Sequence, residues 1–341
     1  MKFSKTVIHV ATAITMTMSA QATTFAQEAV LQKASPEVNA PKFDVLQHWI
    51  IGDQSKWDFA SIDTVRHHLF VTRGESVAVV DLATGKLIGE IPAHGAHGVV
   101  FAQDLKRGFI SNGKSNTVTV FDLDSLKVQQ EIKIPGIGPD VILFEPTSKK
   151  VYVFNGKSAD ITVIDAASLN ILSTFAATGR PEFAVSNGAG KVFFNLEDKS
   201  KIGVIDVATD KLITTWSLKD CVEPSGLALD SAHQRLFSVC QNKNMVVLDA
   251  TSGQFIANVE IGEHPDAVVY DAAHGHVISS NGAAGGTLSV ISQQDADHYV
   301  PAETLKTVQG SKTMAMDFDT NTVYLPAVVN GKFEVMVVGA K

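Results

Sequence analysis

An all-β fold, a single seven-bladed β-propeller of four-stranded blades, is predicted by three observations. The first is a five-residue pattern, Val/Ile-x-Val-apolar-Asp/Ser. It recurs as Val77–Asp81, Val118–Asp122, Ile161–Asp165, Ile202–Asp206, Met245–Asp249 and Leu288–Ser292, with a degraded copy at Val335–Gly339. The second is its interval: the final residues are separated by 41, 43, 41, 43, 43 and 47 positions. The third is that every stretch between copies reads as strand and turn. A repeat of about 40–50 residues made only of strands is the signature of a propeller.

The unit Lys86–Asp122 shows the content of one repeat. Lys86–Pro92 alternates apolar and polar residues, as a strand with one solvated face does. Gly98–Phe101 is a short apolar run suited to a strand covered on both faces. Gly108–Gly113 is a third strand ending in the Asn-Gly turn signal, and Thr117–Phe121 is a fourth, rich in β-branched residues. The most apolar strand of each unit belongs nearest the axis. Inner strands therefore begin near Trp57, His97, Asp140, Glu182, Ser225, Asp266 and Thr313. Outer strands follow Asp-x-x-[Thr/Ser]-Gly type turns, at Lys86–Pro92, Lys127–Pro135, Ile171–Ala177, Lys211–Leu218, Phe255–Ile261 and Thr304–Val308. The last blade lacks such a strand, and Asp44–Ile51 at the other end of the chain is unused. We expect this N-terminal strand to complete the last blade, closing the ring and removing exposed sheet edges.

Of the 341 residues, 45% are hydrophobic and 19% charged, and one propeller over residues 43–341 accounts for nearly all of them. Residues 1–26 read as an export signal: Lys2 and Lys5, an apolar stretch Val7–Met18, and Ala20-Gln21-Ala22 as a cleavage pattern, with Ala26 a second choice. That apolar stretch is too short for a spanning helix, so no transmembrane anchor is expected. A periplasmic or secreted location follows. Residues 27–42 read as a flexible leader. Removing residues 1–22 takes away two lysines and no acid, so the formal charge moves from −8 to −10. Nucleic-acid binding draws on basic surface, and this balance argues against that partner. The two cysteines, Cys221 and Cys240, form an even count in an exported chain. Cys221 precedes an inner strand and Cys240 ends the next strand, which puts both at one end of a sheet. A disulfide is expected.

The repeats resemble the YVTN-type β-propellers, in particular the exported YncE-like proteins. The residues that carry the likeness are Lys150-Val-Tyr-Val-Phe-Asn155 followed by Asp160-Ile-Thr-Val-Ile-Asp165. Weaker echoes are at His68–Thr72, Arg235–Ser238 and Thr322–Leu325. The resemblance spans roughly residues 44–339. It implies the fold and, for some YncE-like members, DNA binding, which the acidic charge opposes. It does not define an activity, because such propellers serve as scaffolds, binding proteins and enzymes.

In this strand order the entrances to the inner strands and the turns between second and third strands share one end, a central funnel. The entrances carry Asp58, His97, Asp140, Glu182, Glu223, Asp266 and Lys312-Thr313. The paired turns carry Arg73, Asn112, Asn155, Asn195 with Glu197, Gln241 with Lys243, and Asn281. Carboxylate and amide oxygens suit a hard divalent cation, Ca²⁺ or Mg²⁺, with Asp140, Glu182 and Asp266 as its expected ligands. Such an ion could polarise an ester or lactone carbonyl, and crowded carboxylates raise one another's pKa. His94 is a secondary candidate at the same end. His67, His68, His233, His274 and His276 are read as solvated turn residues at the opposite end, and Trp49 and Trp57 as packing residues. Serine-hydrolase, P-loop and c-type haem motifs are absent from the sequence. The reading is an exported binding protein that engages a small molecule, a peptide or a periplasmic protein at its funnel face. Its competitor is a metal-assisted hydrolase or lyase acting on a lactone-like substrate. No catalytic residue is identified.

Overall fold

The computed structural model describes residues 42–53, 55–283 and 285–340. The expected signal and all but the last residue of the leader lie outside them. Among the described residues the chain is strand and turn throughout, apart from two short 3-10 segments, Gln103–Leu105 and Glu197–Lys199. Five four-stranded antiparallel sheets and one seven-stranded sheet pack around a common axis, giving a β-propeller. The inner strands are Ala60–Asp63, the second half of Leu87–Ala102, Pro139–Glu145, Pro181–Ser186, Pro224–Asp230, Pro265–Asp271 and Ala315–Asp317. No helix among the described residues is long and apolar enough to cross a membrane.

The recurring five-residue pattern has a direct physical basis. Its strands lie between two sheets, so both faces are covered: Val77, Ala78, Val79 and Val80 are all fully buried. The terminal Asp then organises the turn to the outer strand. Asp81 Oδ1 accepts hydrogen bonds from Thr84 N at 2.8 Å and Thr84 Oγ1 at 2.6 Å. Asp122 with Ser125, Asp206 with Thr209 and Asp249 with Ser252 repeat the arrangement, while Asp165 accepts from Ser168 N.

The N-terminal strand closes the last sheet as expected. Phe43–Asp53 pairs antiparallel with Lys332–Ala340, Trp49 lying opposite Val335. One apolar cluster joins Leu69, Val71 and Ala78 near the start of the chain to Tyr324, Phe333 and Val335 near its end. Trp49 packs on Tyr324 with ring centroids 5.4 Å apart, and Trp57 on Phe333 at 6.2 Å, so both tryptophans are packing residues.

Two strand boundaries differ from expectation. The strands foreseen at Lys86–Pro92 and Gly98–Phe101 are one continuous strand, Leu87–Ala102. The ladder carries across the gap because Ala96 pairs with Gly74 on one side and Asn112 on the other. This shared strand fuses two four-stranded units into the seven-stranded sheet. The outer strand expected at Thr304–Val308 instead spans Tyr299–Lys306. Its Pro301 is tolerated because it lies at a register shift opposite Ile291 on an edge strand.

Neighbouring sheets, and the two units within the seven-stranded one, are tied at one end by hydrogen bonds to the inner strands. Ser61 Oγ donates to Val99 O, Ser111 Oγ to Asp140 O, Ser225 Oγ to Pro265 O, Ser280 Oγ to Lys312 O and Thr313 Oγ1 to Asp58 O. Asn195 Nδ2 donates to Ser225 O and Gly226 O. The last tie, from Thr313 to Asp58, joins the two ends of the ring.

Cys221 and Cys240 form a disulfide, with Cα atoms 5.3 Å apart. It pins the loop entering Pro224–Asp230 to the end of Arg235–Cys240. Closing a loop of 19 residues restricts the unfolded chain by about 3 kcal/mol. The double variant Cys221→Ser/Cys240→Ser is expected to lower the unfolding free energy by roughly that amount in urea titrations, and the native protein to show no titratable thiol. Two free thiols, or an unchanged urea midpoint in the variant, would count against a stabilising bridge.

Candidate functional site

The ties between sheets set the entrance residues at one level around the axis, and their side chains converge there. The tightest group comes from three successive entrances. His97 Nδ1 contacts Asp58 Oδ2 and lies 3.4 Å from Asp140 Oδ1. A donor from each residue falls within 4.8 Å of the others, the spacing of a metal-ligand set. The Asp58 hydrogen bond and the Asp140 charge raise the His97 pKa.

The next sector is a fork. Arg180 contacts Glu182 at 3.2 Å and Glu197 at 2.6 Å. Glu182 is nevertheless pushed up to about 9, first by burial and then by the charges of Asp140, Glu197 and Asp266. Burial, together with Asp58, Asp140 and Glu197, lifts Asp266 to about 6 against the pull of Lys312. Burial also raises Asp140 and Glu197. Four entrances thus present carboxylates that feel one another in a partly desolvated space.

The structure redistributes the expected site residues. Asp58, His97, Asp140, Glu182, Glu197 and Asp266 are brought together. Asn112, Asn155, Asn195 and Asn281, expected on the funnel face, are buried and act as internal braces. The Asn112 amide donates to Thr117 Oγ1 and Thr119 Oγ1, and that of Asn155 to Asp160 Oδ1 and Thr162 Oγ1. The Asn195 amide holds the next inner strand, and that of Asn281 reaches Ser289 Oγ. Burial keeps these amides from the funnel surface, and their Nδ2 donors are engaged within the fold. Arg73 is turned toward the closing strand, donating to Ser55 Oγ and Asp53 O and lying 5.0 Å from the Phe333 ring centroid. Glu223 is exposed in a turn with φ of 48°. Among the described residues Asp140, one of the ligands expected for a metal, shares ligand spacing with Asp58 and His97.

His276 departs from the solvated role expected of it: it is buried, stacked 6.1 Å from His274, and burial lowers its pKa. His233 and His274 sit in turns as expected, each bonded to the Asp three residues earlier.

Sequence reasoning missed the cations. Lys114, Lys157 and Arg180 line a cavity of about 440 Å³ that opens beside His97 and Asp140. A repeated tripeptide, Asn112-Gly113-Lys114 and Asn155-Gly156-Lys157, was the available signal. The first of its glycines matters for space: a Cβ on Gly113 would lie 2.6 Å from His97 Nε2, whereas one on Gly156 would meet nothing nearer than Asp140 Oδ2 at 3.6 Å, an ordinary contact. Phe59 and Phe183 stack at 4.8 Å within the ring.

The described fold is shared with solved propellers of low sequence identity. A chain of the mitotic checkpoint complex superposes with a TM-score of 0.74 at 12% identity, covering 94% of this chain and 99% of that one. U3-55K gives 0.75 at 8% identity over 88% and 100%, and the RRP9 WD40 repeats 0.75 at 9% over 89% and 99%. No protein-family model and no curated protein sequence matches the chain. The protein is a β-propeller of WD40-like architecture.

The raised pKa of Glu182 has a consequence for stability. The folded state holds this proton more tightly than the unfolded chain, whose glutamate titrates near 4.5. The contribution is therefore complete below that pH and is lost as pH climbs toward about 9. Glu182→Gln is expected to raise the melting temperature at pH 8, by on the order of 2–4 °C per kcal/mol relieved, and to leave it nearly unchanged at pH 4. A loss of stability at both pH values would instead make Glu182 a structural partner of Arg180.

Proposed function

We propose that this protein is an exported, seven-bladed propeller that binds a ligand carrying a positively charged group, a small amine or a basic peptide, over its funnel face. The observation that carries this reading is the convergence of Asp140, Glu182, Glu197 and Asp266 in a partly desolvated space, each with its pKa raised. Carboxylates held so close repel one another and lose hydration. A bound cation relieves both penalties.

The blade count follows from treating the seven-stranded sheet as two units joined through Leu87–Ala102, added to the five four-stranded sheets. The Val-Tyr-Val-Phe-Asn and Ile-Thr-Val-Ile-Asp strands at Lys150–Asp165 support a place among YncE-like propellers, and the basic start, apolar stretch and Ala-x-Ala of residues 1–26 support export. A partner role also agrees with the widespread use of propeller faces as docking platforms.

Titration calorimetry with a tri-lysine peptide tests the binding reading. At a pH above about 9, where Glu182 is ionised, the wild-type protein is expected to bind it, and Glu182→Gln and Asp266→Asn each to weaken binding at least tenfold. Glu131→Gln, an exposed acid on an outer strand, should have no effect. Equal affinity in all four proteins would remove the funnel from consideration. Export is checked separately. N-terminal sequencing of periplasmic material should begin at Thr23, after Ala22, or at Gln27, after Ala26, whereas retention of Met1 would exclude a cleaved signal.

A further inference from the structure

We propose that Asp58, His97 and Asp140 bind a single borderline divalent ion of the Zn²⁺ type, through His97 Nδ1 and one oxygen from each carboxylate. This deepens the reading of the funnel as a cation site, on which it rests, by assigning an ion to one sector of it.

Three observations carry the assignment. The first is geometric. The three donors lie within 4.8 Å of one another, and His97 Nδ1 to Asp140 Oδ1 is 3.4 Å. Ligands at about 2.0–2.1 Å around a tetrahedral ion are separated by about 3.4 Å. The second is charge. Two carboxylates face one imidazole, and among the described residues neither Asp58 nor Asp140 has a Lys or Arg at salt-bridge distance. Counted among the three donors alone, even a protonated His97 leaves one negative charge in excess. The neighbouring Arg180 is already engaged by Glu182 and Glu197.

The third observation is access. The cavity of about 440 Å³ beside His97 and Asp140 is bordered by Gly113, Gly138 and Gly156, where no side chain blocks the approach. Three protein donors and an open side form the arrangement of an exchangeable or catalytic zinc centre rather than a closed structural one. Lys114 and Lys157 border the same cavity, so the open position would take water or an anionic group.

Donor chemistry selects among ions. Oxygen donors alone would favour Ca²⁺ or Mg²⁺. An imidazole nitrogen shifts preference toward Zn²⁺ and other later first-row ions such as Co²⁺ and Ni²⁺. Binding replaces the contact between His97 Nδ1 and Asp58, and any proton on Nδ1 is released to solvent as the ion enters.

The test is calorimetric titration of chelator-treated mature protein with ZnCl₂, together with melting temperature and the visible spectrum of the Co²⁺-loaded form. One equivalent of Zn²⁺ is expected, with a raised melting temperature and little heat from MgCl₂. His97→Gln and Asp140→Asn should each weaken binding at least 100-fold, while circular dichroism confirms the fold. Glu182→Gln, outside the ligand set, should still bind zinc even though it weakens tri-lysine binding. That contrast separates failure of the ion site from failure of the broader binding reading. The proposal is overturned if wild-type protein takes up no zinc, or if stoichiometric uptake persists in both His97→Gln and Asp140→Asn, which would place the ion elsewhere, for instance at His274 and His276.

Discussion

The structure depends on the hydrogen bonds that tie six of the seven inner strands to the strands of the unit beside them. Sheets that meet face to face through Val, Ile and Phe side chains are held by contacts that are strong in sum but weak in direction. Such faces can slide. A serine or threonine hydroxyl on one sheet donating to a backbone carbonyl at the entrance of the next removes that freedom. Ser61, Ser111, Ser225, Ser280 and Thr313 do this at five junctions, and Asn195 does it with its amide at a sixth. The accepting carbonyls include those of Asp58 and Asp140 themselves. The same bonds that align the sheets therefore set the height and spacing of the carboxylates on the axis.

That alignment has an electrostatic cost. Asp140, Glu182 and Asp266 are driven together and away from water, and no cation reaches all of them. Elsewhere the protein manages acids differently. Asp81, Asp122, Asp165, Asp206 and Asp249 accept hydrogen bonds from their own turns, which holds their pKa low. The half-buried pair of Lys150 and Asp210 is closed by Tyr152. Acids in the repeats are thus satisfied locally, and the funnel acids are the exception. A fold that satisfies its repeated carboxylates in the turns, yet crowds others at one mouth, concentrates unfavourable charge where a ligand could offset it.

The repeat made most of the fold legible. A fivefold recurrence of buried strand plus turn-capping Asp is a local rule, and each copy obeys it for the same reason, so the architecture could be read from any two of them. The disulfide was legible for a related reason, because antiparallel neighbours bring Cys221 and Cys240 to one end. The continuous strand Leu87–Ala102 was not, since His94-Gly95 reads as a break. Only the pairing of Ala96 with both Gly74 and Asn112 shows that the ladder runs on. The start of the last outer strand was hidden by Pro301, which is excluded from a central strand but tolerated at an irregular edge.

The site was legible by position rather than by contact. Asp58, His97 and Asp140 lie about one repeat apart, and equivalence within the repeat foretold that they would share a level around the axis. It could not foretell that His97 would lean toward both acids, nor that Arg180 would fork to Glu182 and Glu197. Those outcomes turn on side-chain direction and on glycine, which leaves no trace in a hydrophobic pattern. The asparagines show the converse. Asn112, Asn155 and Asn281 repeat as regularly as the acids, yet they face inward to Thr and Ser hydroxyls of their own sheets. Regular recurrence alone therefore does not tell a site residue from a scaffold residue in this chain. Departure from regularity, an imidazole where its neighbours carry acids, marks the sector whose chemistry the scaffold does not need.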